Sequence, residues 1–349
     1  MGLFSRKQRD QSPVSASSKA DLIPIDQVIV EPPEQYGKAS PIGNISEAQY
    51  GVYRKVLEHF QDDEFELPLS TKDKVNRRCL SSWEKFWLTR ECILRFLRAA
   101  KWDRENTIKN LEETMSWRRE VGITYENDED PLTGAKVAIE NETGKEVLLG
   151  FDRNRRPIFY MKNGRQNTEP SFRQVQQLIY MMEAAVTLTP QGVEKLTVLI
   201  DLKGYKEPGI ISDKSPPLSI TKLCLKVMQD YFPERLGKCL LTNIPWYAWA
   251  FLKMVYPFLD PNTREKTIFD EPFDKHIEPS QLEALYNGRL DFKYNHKVYW
   301  PDLVEKVESI RQRQYDRFVK FGGNIGLSEY DLKGSHDELI YEVDYVNIE

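Results

Sequence analysis

A run of about 14 residues, 246–259 (WYAWAFLKMVYPFL), is almost entirely apolar or aromatic and carries a single charge, Lys253. The whole chain is 30% charged, so a segment of this kind either is buried or contacts lipid. Crossing a bilayer takes roughly 20 apolar residues, and this run is too short for that. We therefore predict a helix that packs on, closes over or docks against something apolar.

The composition is that of a globular protein. The chain has 349 residues, is 40% hydrophobic and carries a formal net charge of −5. That is enough apolar material for one large core or two modest ones. A mildly acidic chain lacks the net basic surface that binds nucleic acid, so no nucleic-acid partner is expected.

The cysteines indicate neither a metal site nor a disulfide framework. Cys79, Cys92, Cys224 and Cys239 lie far apart, without a C-x-x-C pair or nearby histidines, and reduced thiols in the cytoplasm are the expected state. The first six residues resemble a myristoylation signal except at Arg6, and no apolar stretch follows that would serve as a signal peptide.

The first 128 residues divide into two expected regions. Residues 1–80 hold clusters of Ser, Pro and charge around one helical pattern at 50–60, which predicts a mobile lead-in with a short helix. Order is expected to begin near Trp83. Apolar residues then recur with helical spacing as far as Trp117, so residues 81–128 are predicted to form a helical N-terminal subdomain.

Beyond residue 129 the hydrophobic period changes. Strands at 147–151 and 157–161 flank a turn, which predicts a hairpin. Further along, helices are expected at 174–188, 218–231, 246–259 and 280–286, and strands at 196–200, 238–244 and 267–269. This alternation predicts an α/β domain over 129–300, with a mostly parallel sheet flanked by helices.

The end of the chain has a different character. Residues 301–349 are predicted to hold a basic, aromatic helix at 304–321, followed by an extended acidic tail. Composition leaves open whether this tail packs on the body of the protein or stays free.

Signatures of catalysis are missing from the sequence. There is no nucleophile elbow, phosphate-binding loop, dinucleotide fingerprint or zinc-protease motif, and the four histidines are scattered in polar contexts. No serine can be paired with a nearby base. The protein is therefore not expected to be an enzyme, and no metal or cofactor is expected.

The residues after the apolar run carry signals that end one helix and begin another. Asp260 is predicted to cap a short helix that has Pro261 in its first position. Thr263 and Lys266 are three residues apart and so share a face of this helix. A hydroxyl and an ammonium on one face can bind a phosphate, although on a surface helix such a pair is more often simply solvated.

Five stretches, in this order, resemble one family. They are 94–102 (LRFLRAAKW), 117–119 (WRR), 200–204 (IDLKG), 231–238 (YFPERLGK) and 257–261 (PFLDP). Together they span roughly residues 85–300 and resemble the CRAL-TRIO lipid-binding proteins, specifically the fungal phosphatidylinositol transfer proteins. The start of the chain and residues 321–330 are similar to the yeast pleiotropic-drug-resistance subgroup, one member of which works with phosphatidylserine decarboxylation.

The resemblance implies a fold and a set of site residues. The fold is a CRAL-TRIO lipid-binding α/β domain preceded by an all-helical subdomain, and its ligand is phosphatidylinositol. The residues matching the family's head-group ligands are Glu234, Arg235, Thr263, Lys266 and Lys101. The apolar run becomes a gate helix that meets membranes through Trp246, Trp249, Phe251 and Leu252.

Two departures from the family pattern stand out. Relatives that also carry phosphatidylcholine have hydroxyl residues at the positions of Leu196 and Val198, which alternation places on one face with Ile200. This pocket wall offers no side-chain hydrogen bond, so phosphatidylcholine binding is expected to be weak or absent, with room for another apolar ligand such as a sterol. Ala100 stands where relatives often have a basic residue.

The predicted function is phosphatidylinositol transfer in support of phosphatidylserine and phosphatidylethanolamine metabolism. The resemblance implies a cytoplasmic protein that associates peripherally with endoplasmic-reticulum, microsomal and endosomal membranes, with the phosphatidylserine decarboxylase machinery as a partner. Two alternatives stay open: a lipid-sensing scaffold that recruits lipid-metabolising enzymes, and a sterol binder.

Overall fold

The computed structural model describes residues 22–38, 44–126, 128–246 and 248–344. Within them the strands are β1 (Ile23–Ile25), β2 (Glu66–Pro68), β3 (Arg77–Cys79), β4 (Glu146–Phe151), β5 (Pro157–Gly164), β6 (Leu196–Gly204), β7 (Leu236–Thr242), β8 (Thr267–Phe269) and β9 (Leu290–Phe292). The α-helices are α1 (Glu47–Gln61), α2 (Ser82–Trp87), α3 (Arg90–Ala99), α4 (Arg104–Val121), α5 (Gly134–Val137), α6 (Phe172–Thr187), α7 (Leu218–Lys226), α8 (Ala248–Val255), α9 (Pro261–Glu265), α10 (His296–Lys320) and α11 (Glu329–Lys333). The signal-like start of the chain, with Arg6, lies outside the described residues.

The centre of the molecule is a five-stranded sheet in the order β4-β5-β6-β7-β8. β4 runs antiparallel to β5, and the remaining neighbours are parallel. This confirms the predicted hairpin and the mostly parallel α/β sheet flanked by helices. Asp152 shapes the hairpin turn, because its Oδ1 accepts hydrogen bonds from the backbone N–H of Asn154 and Arg156 at 2.8 and 3.0 Å.

The helical unit that precedes the sheet begins earlier than expected. Ser46 caps α1 in a capping box with Gln49. The buried face of α1, including Tyr53 and Phe60, joins one apolar core with residues of α3 and α4. Order therefore begins well before Trp83 in the structure, because packing against α3 and α4 stabilises a helix that local composition had assigned to a mobile lead-in.

Two predicted helices have a different local form. The helix expected at 218–231 is α7 followed by a π-helical turn, Val227–Tyr231. The segment expected to be helical at 280–286 consists of two short 3-10 turns, Pro279–Gln281 and Ala284–Tyr286. The hydrophobic period of a short apolar run does not distinguish an α-helix from a π-helical or 3-10 turn.

The acidic tail is folded back on the body of the protein. It contains the short helix α11, and the carboxylate of Asp331 accepts hydrogen bonds from the backbone N–H of Ile340 and Tyr341, both at 3.0 Å. Tyr341 is buried and lies against the Arg90 guanidinium at the start of α3. The tail thus packs against the N-terminal helices, which settles the alternative that composition left open for residues 322–344.

Candidate functional site

One face of the sheet carries a row of apolar side chains that is only partly covered. The strand register places Met161, Ile200, Leu241 and Phe269 side by side across four strands. Ile200 sits in the middle strand, where close packing should bury it completely, yet it is only half-buried. We interpret this incomplete cover as an apolar cleft over the centre of the face, and refer to it below as the cleft. Leu196 and Val198, on the same face, are fully buried beside it.

The helices beside the cleft are apolar but poorly buried. No residue of α7 is fully buried, although Cys224 packs against the central core. In α8 the buried residues are Ala248 and Val255. The Trp249 ring lies 5.7 Å from the ring of Phe269, which places α8 over the β8 edge of the sheet. An apolar helix with so little burial leaves its surface available to a ligand or to lipid.

The predicted gate residues divide between two surfaces. Trp246 is 83% exposed, whereas Trp249, Phe251 and Leu252 are half-buried. Tyr247, between them, lies outside the described residues. Met254 and Phe258 add exposed apolar area to the outer side. In the part of the chain that the structure describes, no helix is long and apolar enough to cross a membrane.

Cationic groups surround one acid at the start of β7. The Nζ atoms of Lys266 and Lys195 lie 3.9 and 4.0 Å from Glu234 Oε2. Both lysines are partly exposed, and burial together with the nearby Lys266 ammonium lowers the pKa of Lys195. Glu234 has a φ of 58°, in the left-handed region that non-glycine residues rarely adopt. Such strain is typically kept at functional sites.

Thr263 lies next to this cluster, in the short helix α9. As predicted, Asp260 caps the helix and Pro261 begins it. The Thr263 hydroxyl donates to Asp260 Oδ2 at 2.5 Å, and its backbone N–H donates to Oδ1 at 3.0 Å. The Asn262 amide donates to Glu234 Oε1 at 3.2 Å, which ties α9 to the Glu234 turn. Because the single proton of the Thr263 hydroxyl is donated to Asp260, this hydroxyl could donate to a phosphate only after turning away from that carboxylate.

Lys101 follows the end of α3 and is exposed, with a φ of 54°. Among the described residues, no hydrogen bond or ion pair links its side chain to Glu234 or Lys266. One turn earlier, Arg98 donates to both oxygens of Glu194, the neighbour of Lys195. The end of α3 therefore lies on the same side of the molecule as the cluster, with Lys101 at its margin.

Arg235 does not join the cluster around Glu234. Its guanidinium is buried, donating to the Glu194 carbonyl at 2.9 Å and to Glu329 Oε1 at 3.3 Å. Burial and the neighbouring Arg95 guanidinium lower the pKa of Arg235. Arg95 also donates to Glu329, at 2.7 Å. Arg235 is therefore a positioning residue, which anchors the turn that carries Glu234 to the tail and to α3.

Sequence reasoning missed Lys195 and Glu329. Lys195 directly precedes β6, and Leu196 pairs with Leu236 in β7. Since parallel neighbouring strands begin at the same sheet edge, this lysine had to lie near the Glu234 turn, and that signal was available. Glu329 had no comparable signal, because it reaches Arg235 only through the folding back of the tail.

At the other end of the sheet, near the C-terminal ends of β6 and β7, polar side chains hydrogen-bond to one another. Asp201 Oδ2 accepts from the hydroxyls of Tyr205 and Tyr286 at 2.6 and 2.8 Å, and Oδ1 accepts from the Asn243 amide at 2.9 Å. Among the described residues, no group of His, Cys, Asp or Glu side chains could hold a metal ion.

Two family models match the chain. The model of the CRAL/TRIO domain matches residues 141–288, which include the whole central sheet, and that of the CRAL/TRIO N-terminal domain matches residues 52–113. The second match begins within α1, so it includes the helix that sequence analysis had placed in the lead-in.

Curated relatives extend this similarity to the whole chain. The chain is 64% identical over 352 residues to the phosphatidylinositol transfer protein PDR17 of Saccharomyces cerevisiae, covering 99% of this chain and 100% of the relative. A CRAL-TRIO domain-containing protein of Schizosaccharomyces pombe is 39% identical over 87% of this chain and 29% of its own length. The SEC14 cytosolic factor of Kluyveromyces lactis is 28% identical, covering 57% of this chain and 70% of that protein. These matches, together with the sheet and its helical lead, show that the chain belongs to the CRAL-TRIO family.

Proposed function

We propose that this protein binds one molecule of phosphatidylinositol and exchanges it between membranes, and that it is not an enzyme and needs no cofactor. The observation that carries the proposal is the group of Lys195, Lys266 and Thr263 around Glu234, beside an apolar cleft. The similarity to a relative named as a phosphatidylinositol transfer protein supports the same conclusion.

The polar cluster fits an inositol phosphate head group. Lys195 and Lys266 would donate to phosphate oxygens, and Thr263 would add its hydroxyl once that group turns away from Asp260. Glu234 would accept from inositol hydroxyls while holding the two ammonium groups in place. Lys101 would contribute long-range attraction for the phosphate from the margin. The acyl chains would enter the cleft over Ile200, where no charged group competes with them.

The test is transfer of phosphatidylinositol between vesicles by the purified protein. Glu234→Ala, Lys266→Ala and Lys195→Ala should each lower the transfer rate about 10- to 100-fold, since each removes a charge-assisted contact of about 1.5–3 kcal/mol. Lys293→Ala is the matched control, because the Lys293 side chain is 84% exposed and pairs with Asp291, away from the Glu234 cluster. Normal transfer by all three cluster variants would refute the assignment of the head-group site.

The cleft wall supports selectivity among phospholipids. The buried side chains of Leu196 and Val198 and the half-buried Ile200 have no hydrogen-bonding group, so a choline head group would lose its water without compensation. Phosphatidylcholine should therefore be carried poorly. Mass spectrometry of the lipid that co-purifies with the protein would check this.

Release of the lipid would occur at a membrane surface. The exposed apolar side chains of α8 and its flanks, Trp246, Met254 and Phe258, would insert at the interface while the inner side of α8 leaves the cleft. The apolar side chains then exchange one apolar environment for another, so opening costs little free energy. We further propose a cytoplasmic protein that associates transiently with endoplasmic-reticulum and endosomal membranes and supplies the phosphatidylserine decarboxylase machinery.

A further inference from the structure

A cavity of about 80 Å³ lies where the N-terminal helices, α6, α10 and the tail meet. Residues of α2, α4, α6, α10 and α11 line it together with Arg235, whereas no described residue of the central strands, α7 or α8 does. The cavity is therefore separate from the cleft. Since a buried water molecule needs about 10–15 Å³, there is room for an ion of roughly five non-hydrogen atoms.

Positive charge exceeds negative charge in the lining of this cavity. Four cationic and two acidic side chains border it, namely Arg118, Arg235, Arg311 and Lys333, with Glu183 and Glu329. Glu183 pairs with Arg118 at 2.8 Å, and Glu329 pairs with Arg235 at 3.3 Å. The lining therefore has two more cations than acids, which favours an anion as its ligand.

Arg311 is the cation that has no acidic partner. Its guanidinium lies 4.1 Å from the centroid of the Tyr125 ring and, among the described residues, makes no hydrogen bond or ion pair. The Tyr125 hydroxyl donates to Glu183 Oε2 at 2.9 Å, which places Arg311 beside the Arg118–Glu183 pair. Arg311 is half-buried, so its N–H groups stand at the mouth of the cavity, where they can bind an oxyanion in a fork.

Glu329 offers a lone acceptor to the same cavity. Its Oε1 accepts from Thr89 and Arg95 at 3.1 and 2.7 Å, whereas its Oε2 is buried and has no hydrogen-bond partner in the described part of the chain. Although burial opposes it, the Arg95 and Arg235 guanidinium groups hold the pKa of Glu329 far below the usual range. The carboxylate is ionised and can only accept, so the group that completes its bonds has to donate a proton.

The two ends of the cavity lie close together. Burial raises the pKa of the Cys92 thiol to about 11, and the charges of Glu329 and Arg118 both act on it. Glu183, in turn, is influenced by both Arg118 and Arg311. Such influences are typical of charges within about 4–6 Å. A single small ion is therefore able to contact groups from both ends.

These features together select an anion that carries a proton of its own. Inorganic phosphate keeps at least one proton at neutral pH, so it offers oxygens to a guanidinium and a hydroxyl to a carboxylate. Sulfate has no proton to donate. A phosphate monoester, with a second pKa of about 6, is mostly a dianion without a proton at pH 7.5.

We propose that this cavity binds inorganic phosphate: the Arg311 guanidinium donates to phosphate oxygens, and a phosphate hydroxyl donates to Glu329 Oε2. The site lies outside both the cleft and the cluster around Glu234, so it goes beyond the proposed function and does not depend on it. Glu329 belongs to the tail and Arg311 to α10. The bound ion would join these two segments and stabilise the folded protein.

The experiment is calorimetric titration of the purified full-length protein with inorganic phosphate at pH 7.5, beside sulfate and glycerol 3-phosphate at equal ionic strength. Wild type should bind phosphate at least about 10-fold more tightly than either of the other two ions. Arg311→Gln should weaken phosphate binding about 10-fold. Arg313→Gln is the matched control and should bind like wild type, because Arg313 is exposed on the same helix and does not line the cavity.

The cluster around Glu234 is a second place where phosphate could bind, and two variants separate it from this cavity. Lys266→Ala should keep the phosphate binding that depends on Arg311, and Arg311→Gln should keep phosphatidylinositol transfer, which also shows that it is folded. Loss of phosphate binding in Lys266→Ala but not in Arg311→Gln would assign the ion to the Glu234 cluster and overturn the proposal.

Two further results would overturn it: no phosphate binding by wild type, or sulfate binding as tight as that of phosphate. In the first case the cavity holds only water, and in the second the Glu329 carboxylate does not take part. Phosphatidylinositol transfer by the same wild-type sample tests the proposed function independently, since its absence would refute that function and leave the phosphate site standing.

Discussion

At the residue scale, two buried glutamates show how partners decide a charge state. Glu329 lies between the guanidinium groups of Arg95 and Arg235, which hold its pKa far below the usual range in spite of burial. Glu146 has no such partner, and burial raises its pKa from 4.5 to about 8. The same residue type is thus a structural anion in one place and an uncharged hydrogen-bonding group in the other.

The Glu146 acid makes stability depend on pH in a specific direction. A raised pKa means that the folded state binds the proton more tightly than the unfolded state does. The resulting contribution to the free energy of unfolding is complete below the pKa of Glu146 in the unfolded state, and it is lost as the pH rises through about 8. Wild type should lose this contribution as the pH rises, and Glu146→Gln should not. The unfolding free energy of Glu146→Gln minus that of wild type should therefore increase by about 1–3 kcal/mol between pH 5.5 and pH 8.5.

Urea unfolding of both proteins at the two pH values checks this. The comparison needs wild type and variant at each pH, so that the pH dependence of all other groups cancels. An equal difference between the two proteins at both pH values would show that Glu146 is ionised throughout.

For the Glu329 carboxylate, the expected pH dependence of stability has the opposite direction. Because its pKa is lowered, its stabilisation is present above the ordinary carboxyl pKa and is lost as pH falls. Glu329→Gln should cost about 3 kcal/mol at neutral pH, since it leaves two buried guanidinium groups without their shared partner. Thermal unfolding measures the loss, with the exposed Glu338→Gln as the control. A variant as stable as wild type at pH 7 would contradict this account.

At the scale of elements, α8 combines an apolar sequence with little burial. Its predicted extent, 246–259, ends in a 3-10 turn, Tyr256–Phe258, before the Asp260 cap starts α9. Proline at 257 and the cap were visible in the sequence, so the boundary was predictable. The sequence did not predict which side chains of this segment face the sheet and which face solvent. The whole segment is apolar, so no polar face marks the solvent side.

Membrane contact by α8 is testable through its outer side. Trp246→Ser should lower the vesicle-to-vesicle transfer rate about 10-fold, since a Trp side chain inserted in the interface contributes about 1.5–3 kcal/mol. Its effect on thermal stability should be small, because the side chain is 83% exposed. Val75→Ser is the matched control, as Val75 is an apolar residue, 88% exposed, in the turn between β2 and β3. Equal vesicle binding by both variants would remove α8 from the docking surface.

At the scale of the whole molecule, the tail connects the N-terminal helices to the turn that carries Glu234. Glu329 bridges Arg95 in the N-terminal helices and Arg235 in the sheet domain, and Ser328 donates to Glu91 Oε1 at 2.8 Å. The helical unit, the Glu234 turn and the tail therefore contact one another through these ion pairs.

This connection predicts an effect of the tail on lipid transfer. Removing the Glu329 carboxylate loosens Arg235 and with it the neighbouring Glu234 turn, so Glu329→Gln should lower phosphatidylinositol transfer by about 3- to 10-fold at temperatures where the variant stays folded. Glu338→Gln should transfer normally. If Glu329→Gln is folded and transfers at the wild-type rate, the Glu234 turn is held without the tail.

Much of the fold was within reach of the sequence. Hydrophobic periods predicted the hairpin, the parallel strands and most helices, because they arise from local backbone geometry. The start of order near Trp83 was wrong, since α1 depends on distant partners in α3 and α4.

The sequence alone determined the family, the order of elements, and the polar groups that stand in recognisable motifs: Glu234, Thr263, Lys266 and Lys101. Only the tertiary structure decided which charges are buried in ion pairs and which stay partly exposed. Arg235 shares a motif with Glu234, yet its guanidinium is buried and bonded to Glu329, 94 residues further along the chain. The surroundings of Lys195 and Glu146 are set by the pairing register of their strands. A side chain's type is local, but burial and ion pairing depend on which distant segments pack around it.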